Sequence, residues 1–235
     1  MKDAIVVFAP HPDDEILACG GVIAKRIVEG YRVLVIFLTD GSNSLKEIGV
    51  FSHPTPSEYG VIRKDEAKRA AKAIGLREDN LHFLDIEDRS LEERREIAQK
   101  GIMELLYRYS PVEVYLPQEK EYHVDHRVAN CLIRKSIDQL KIQPVRYEYA
   151  VAWRFPLNLL VRIRPKKICD LIISELLNRR IVSVDISRFL SKKRAALNEY
   201  RSQTEIIFPN QKKPAMKKSF VQRFLSNEEV FFVAE

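Results

Sequence analysis

AIVVFAPHPDDEILACGGVIAKRIVEG, residues 4–30, decides the fold class. Its first six residues are an unbroken apolar run, short enough for a strand buried on both faces. Residues 16–29 have helical length and stop at Gly30, a residue suited to a helix C-terminus. Between them stand His11, Pro12, Asp13, Asp14 and Glu15. Three adjacent carboxylates repel one another, so their crowding calls for a helix start or a cation to absorb the charge.

Outward from this stretch the same alternation repeats. RVLVIFLT (32–39) reads as a second buried strand, closed by the turn-like Asp40-Gly41. Residues 42–60 are polar and Pro-containing and read as a loop, followed by a helix over 61–74 with Gly75 behind it. LHFLD (81–85) is a short strand, and residues 90–108 a charged helix whose Ser90 and Glu93 match a capping box. VEVYLP (112–117), a helix over 125–140 and VRYEYAVAW (145–153) continue the series. Alternating strands and helices imply an α/β fold, a mostly parallel sheet between two helical layers. Beyond residue 154 the pattern loosens into a basic segment, a helix over 191–202, a Lys- and Pro-containing loop and a terminal EVFFVAE. With no Gly/Ser linker in sight, residues 154–235 are expected to complete one domain with the core at 1–153.

Composition sets the outer bounds. A hydrophobic fraction of 46% and a charged fraction of 31% are those of a soluble globular protein. Residues 4–9 are too short for a signal peptide's apolar region, and no stretch approaches a membrane span. Cys19, Cys131 and Cys169 are odd in number and scattered, which fits a reducing compartment; the expected location is cytoplasmic. Charge is uneven, with 18 Lys and Arg against 23 Asp and Glu in residues 1–130, and 21 against 10 in residues 131–235. The plain reading of the basic half is a solvated surface. The alternative is a face for an anionic or lipid-linked substrate, and LLVRIRPKKI (159–168) has the mixture of a segment peripheral at a membrane surface. No nucleic-acid-binding motif accompanies the charge, so nucleic acid is not an expected partner.

In open parallel sheets ligands sit beyond the carboxyl ends of the strands. Two polar clusters fall there: His11, Asp13, Asp14 and Glu15 after the first strand, and His123, Asp125 and His126 after the fourth. First and fourth strands are often neighbours in doubly wound sheets. Two imidazoles and one carboxylate with a position left open form the usual set of a catalytic zinc. His11 and Asp14, three residues apart beside Pro12, would supply two ligands and His126 the third. One remaining acid of the first cluster would serve as general base, with His123 across the site. Helix capping accounts for Asp14 or Glu15, but for neither His11 nor the second cluster.

These residues resemble a known family, the PIG-L/LmbE-like zinc-dependent N-acetylglucosamine deacetylases. APHPDDE (9–15) is similar to the family's first signature, with Pro10 in a place usually held by Ala, and HVDH (123–126) to its second. CGGVIAKRIVEG, LTDG, RKDEAKRAAKAIG, FLDIEDRSL and KKRAALNEYRSQ look like further family segments. The resemblance implies a Rossmann-like fold and hydrolysis of the N-acetyl group of a 2-acetamido sugar, with Zn2+ on His11, Asp14 and His126. It implies Asp13 as general base, His123 as the group polarising the acetyl oxygen or serving as acid, and Asp125 as its orienting partner. Glu15 would be structural, and Arg63 and Asp88 match positions that contact the sugar. The expected partner is a small-molecule or glycoconjugate N-acetyl sugar, and a homo-oligomer is compatible with the reading. A zinc amidase on another N-acyl-amine, such as a thiol-sugar conjugate, is the rival that the same motifs allow.

Other positions carry weaker readings. Asp40 lies at a strand end yet suits an ordinary turn, and Gly20-Gly21 suggest close approach of a helix to the sheet. His53 and His82 lack partners in the spacing; for His53, in the Pro-containing loop, the readings are a residue lining the entrance and, more plainly, a surface histidine. Tyr122 and Trp153 are aromatic candidates for sugar stacking, with core packing the plainer reading of Trp153. Tyr200 stands where many relatives carry His, which leaves its role open.

Overall fold

The computed structural model describes residues 3–151 and 180–234. Five strands, β1 (Ala4–Ala9), β2 (Arg32–Thr39), β3 (Leu81–Ile86), β4 (Glu113–Pro117) and β5 (Val145–Tyr149), lie parallel in the order β3-β2-β1-β4-β5. Two further strands, β6 (Arg180–Asp185) and β7 (Glu228–Ala234), extend the same sheet antiparallel, β7 lying between β5 and β6. β6, RIVSVD, lies outside the strands expected from the sequence, although Ile181, Val182 and Val184 suit a strand, and it pairs along its length with β7.

Alternation along the strands feeds two separate cores. Ile5, Val7, Val33, Val35 and Phe37 point to one face, against α1 (Asp14–Val28), α2 (Pro56–Ile74) and α5 (Leu190–Glu199). Val6, Phe8, Leu34, Ile36 and Leu38 point to the other, against α3 (Arg95–Tyr109) and α4 (Val124–Leu140). All of these strand residues are buried, and full burial of each such side chain favours folding by about 1.5–3 kcal/mol. This is the expected three-layer α/β/α arrangement with a mostly parallel sheet.

Element boundaries depart from the sequence expectation where local hydrogen bonding overrides the apolar pattern. α2 begins at Pro56, five residues before the expected 61, because Thr55 and Glu58 form a reciprocal capping box with Pro56 in the first turn. The Ser90/Glu93 pattern is not used as a cap: residues 91–94 form a turn, Arg94 N donates to Ser90 O (2.9 Å), and α3 starts at Arg95. β5 stops at Tyr149, since Val151 N turns away to bond Glu121. The helix expected over 191–202 breaks at Tyr200, with a short α6 (Arg201–Thr204) beyond it. Trp153 and the 159–168 segment lie outside the described residues. Among the described residues no helix is long and apolar enough to cross a membrane.

Residues 180–234 are welded to α1. Glu229 of β7 accepts from Lys193 Nζ (2.7 Å) and from the amides of Gly21 and Val22 (2.8 Å each), all within the core. Gly20-Gly21 therefore admit the C-terminal segment rather than the sheet: a Cβ on Gly21 would stand 2.5 Å from Ile186 Cδ1, and one on Gly20 3.1 Å from Lys193 Cγ. Gly21→Ala is expected to lower unfolding free energy by about 1–3 kcal/mol through overpacking, read as a lower denaturant midpoint at unchanged slope.

Candidate active site

β1 pairs directly with β4, so the loops following both strands meet at one end of the sheet. The first is a tight turn. Asp14 N donates to His11 O (3.3 Å), and Asp14 Oδ2 accepts from His11 N (2.9 Å). Asp13 caps α1 by position only, with no side-chain cap bond and with φ 130° and ψ −29°, a conformation L-residues avoid. Such a backbone costs about 1–3 kcal/mol and persists only where its surroundings enforce it.

Those surroundings are visible. Arg63 of α2, buried beside the loop, donates to Pro12 O, to Gly41 O (3.1 Å) and to Asp13 Oδ2 (2.9 Å). Glycine is favoured at 41, because its φ is +65° and a Cβ would meet the buried Arg63 Nη1 at 2.7 Å. Glu15 Oε2 accepts from Asp13 N (3.0 Å), and Glu15 Oε1 accepts from the Tyr200 hydroxyl. Thr39, at the end of β2, fixes Pro10 O through both its amide (2.9 Å) and its hydroxyl (2.8 Å).

Three donor atoms converge at the centre. His11 Nδ1 lies 3.2 Å from Asp14 Oδ2 and 3.3 Å from His126 Nε2, which is itself 3.1 Å from Asp14 Oδ2. Atoms bound about 2.0–2.1 Å from a tetrahedral ion stand about 3.3–3.4 Å apart, so this triangle has the dimensions of a metal-binding face. Two overlapping groups also have the spacing for a metal ion: His11, His123 and His126, and His11, Asp88, His123 and Asp125. On the opposite edge of its ring, His11 Nε2 meets Asp88 Oδ1 (3.1 Å) and Asp125 Oδ2 (3.4 Å). A carboxylate on the far nitrogen of a ligating imidazole fixes which nitrogen faces the metal.

Burial and neighbouring charge separate the three acids of HPDDE. Burial pushes the Asp13 carboxyl up to about 7, with Arg63 pulling the other way. It pushes Glu15 up to about 8 against the Tyr200 hydrogen bond. Burial opposes ionisation of Asp14 as well, but His126 and His11 outweigh it and hold that carboxyl far below the usual range. Burial disfavours charge on His11, yet the bonds from Asp125, Asp14 and Asp88 overcome it and raise its pKa. That corner of the site attracts positive charge, whether proton or metal. His123 is pulled down to about 4 by burial and by the neighbouring imidazoles, and is neutral at neutral pH. Its Nδ1 accepts from Asp125 N (3.3 Å), which leaves the ring proton on Nε2 as a donor.

His11, Asp13, Asp14, Glu15, Arg63, Asp88, His123, Asp125 and His126 thus lie in one cluster, in contacts that spacing did not reveal. Arg63 and Asp88, expected at the sugar, are both buried, Arg63 gripping the first loop and Asp88 bonding His11 and Asn43 N (3.1 Å). Asp125 Oδ2 accepts from Arg89 N (2.7 Å) and stands 4.0 Å from His123 Nδ1. Asp40 is a brace, with Oδ1 accepting from Ser42 N (2.9 Å) and Asp88 N (3.0 Å). Tyr122 is exposed beside His123, His53 lies in solvent 3.8 Å from Glu58, and His82 bonds the Tyr109 hydroxyl (3.1 Å). The Glu15–Tyr200 link was missed, although the odd residue at 200 was its only signal.

A family model described as PIG-L, GlcNAc-PI de-N-acetylase, matches residues 6–137, more than half of the chain and both clusters. The chain belongs to the PIG-L family. Diacetylchitobiose deacetylase of Thermococcus kodakarensis is 34% identical over 131 residues, 54% of this chain and 46% of that protein. The chain therefore matches only about half the length of that relative. The probable N-acetyl-alpha-D-glucosaminyl L-malate deacetylase 2 of Bacillus cereus is 26% identical over 88% of this chain and 86% of its own length. Two solved structures share the fold at lower identity. N,N'-diacetylchitobiose deacetylase of Pyrococcus horikoshii has a TM-score of 0.69 at 20% identity, covering 99% of this chain and 84% of that one. The 4-carboxy-2-hydroxymuconate hydratase GalB of Pseudomonas putida has 0.68 at 19%, covering 95% and 83%.

If the His11–Asp14–His126 triangle holds a divalent ion, saturating zinc should raise the melting temperature of the purified chain. His126→Ala should abolish that rise and weaken zinc at least about 100-fold in chelator competition.

Proposed function

We propose that the chain is a metal-dependent hydrolase that removes the N-acetyl group from a 2-acetamido sugar, with Zn2+ on His11, Asp14 and His126. The observation that carries this reading is the triangle of ligand atoms with the Asp13 carboxylate held beside it by Arg63. Membership of the PIG-L family and the names of the two deacetylase relatives support the substrate class.

A divalent ion in that position supplies Lewis acidity, polarising the acetyl carbonyl and lowering the pKa of water to about 7. The chain's own residues do the rest. Asp13, fixed in place and raised toward neutrality by burial, takes the proton of the attacking water. His123, neutral and protonated on Nε2, donates to the acetyl oxygen as negative charge develops there. Its fixed tautomer comes from the Asp125 amide, so Asp125 orients it through the backbone while its carboxylate ties in the loop after β3. The proton gained by Asp13 passes to the departing nitrogen, giving acetate and a free amine. Arg63 and Asp88, both buried, serve in this reading by holding the first loop and His11 beside the sugar site.

Acetate release from N,N'-diacetylchitobiose and from N-acetylglucosaminyl malate tests the reading. Asp13→Ala should cut turnover by about 10²–10⁴-fold while bound zinc, measured by elemental analysis, stays at the wild-type level. A wild-type chain loaded with zinc that frees no acetate from any N-acetylglucosamine derivative overturns it.

A further inference from the structure

Tyr200 is fully buried at the break between α5 and α6, and among the described residues its hydroxyl donates to Glu15 Oε1. The other oxygen of Glu15 accepts the Asp13 amide (3.0 Å). We propose that Tyr200 is a positioning residue for the reaction: acting through Glu15, it holds the Asp13 backbone in the avoided conformation that presents its carboxylate to the metal triangle. This inference rests on the assignment of Asp13 as general base.

The geometry supports a role beyond filling the core. The turn that carries Tyr200 grips both helices that frame Asp13. Ser202, two residues on, donates from its amide (2.7 Å) and its hydroxyl (2.6 Å) to Glu66. Glu66 lies on α2 three residues from Arg63, the residue that holds Pro12 O and Asp13 Oδ2. Gln203 Nε2 reaches the Tyr59 hydroxyl on the same helix. Residues 200–203 thus meet the loop by two arms, one through Glu15 to the Asp13 amide and one through α2 to the Asp13 carboxylate. The amide arm passes through a single hydroxyl. Without it, Glu15 loses the side-chain donor to its Oε1 and is held by backbone amides alone, a weaker hold on the rotamer that meets Asp13.

Tyr200→Phe removes that hydroxyl and keeps the ring. Small displacements of a reacting group cost large factors in rate, so kcat should fall at least about tenfold while KM and zinc content stay within about twofold. Hydrogen exchange at the Asp13 amide should quicken at least about tenfold, with the β1 and β4 amides unchanged. Because Tyr200 acts through Glu15, a Tyr200→Phe/Glu15→Ala double variant should turn over no more slowly than Glu15→Ala alone. Unchanged kcat in Tyr200→Phe, a loss confined to KM or zinc content, or additive losses in the double variant would overturn the proposal. Should Tyr200→Phe not fold, Tyr200→His carries the same test: kcat and Asp13 protection moving together support the link, and either moving alone refutes it. A wild type without deacetylase activity refutes the base assignment separately, and the exchange measurement still decides whether Tyr200 holds the loop.

Discussion

The parallel pairing of β1 with β4, Ile5 opposite Glu113 to Val7 opposite Tyr115, is the contact on which the site depends. Parallel strands end on the same side of a sheet, so the loops leaving them face each other. His11 and Asp14 therefore meet His126 across 115 residues of chain or fewer. The side chains of β1 are buried on both faces, which leaves the strand no freedom to slide and fixes the loop beyond it.

Within that frame, three neighbouring acids coexist because each has its own counterpart. Asp14 faces two imidazoles, Asp13 faces Arg63, and Glu15 turns away to Tyr200 and the Asp13 amide. Water would have screened these charges from one another; the buried loop cannot, so each carboxylate settles at a different proton affinity. A strained backbone at Asp13 is the geometric cost of pointing consecutive side chains to different partners.

The C-terminal residues are part of this frame. They complete the sheet through β6 and β7, anchor on α1 where Glu229, paired with Lys193, accepts from the amides of Gly21 and Val22, and deliver Tyr200 and Ser202 to the helices beside the loop. A hydratase of closely similar backbone shows that this fold alone does not set the reaction. The chemistry of this chain has to be read from its own side chains at the ends of β1 and β4.

The sequence by itself determined the layer order, five of the seven strands among the described residues, and the residues of the central cluster. Apolar runs and helical periods are local signals, and HPDDE and HVDH are short enough to be read without a structure. Tertiary structure alone decided how those residues divide their work. The α2 cap lay hidden in a Pro-containing stretch that reads as loop, and β6, outside the strands expected from the sequence, pairs along its length with β7. Arg63 and Asp88 could be placed near the site by resemblance, while Tyr200 was marked only by standing where many relatives carry His. Their partners, Pro12 O, His11 Nε2 and Glu15 Oε1, could not, because hydrogen bonds between atoms 51, 77 and 185 residues apart exist only once the sheet has brought their elements together.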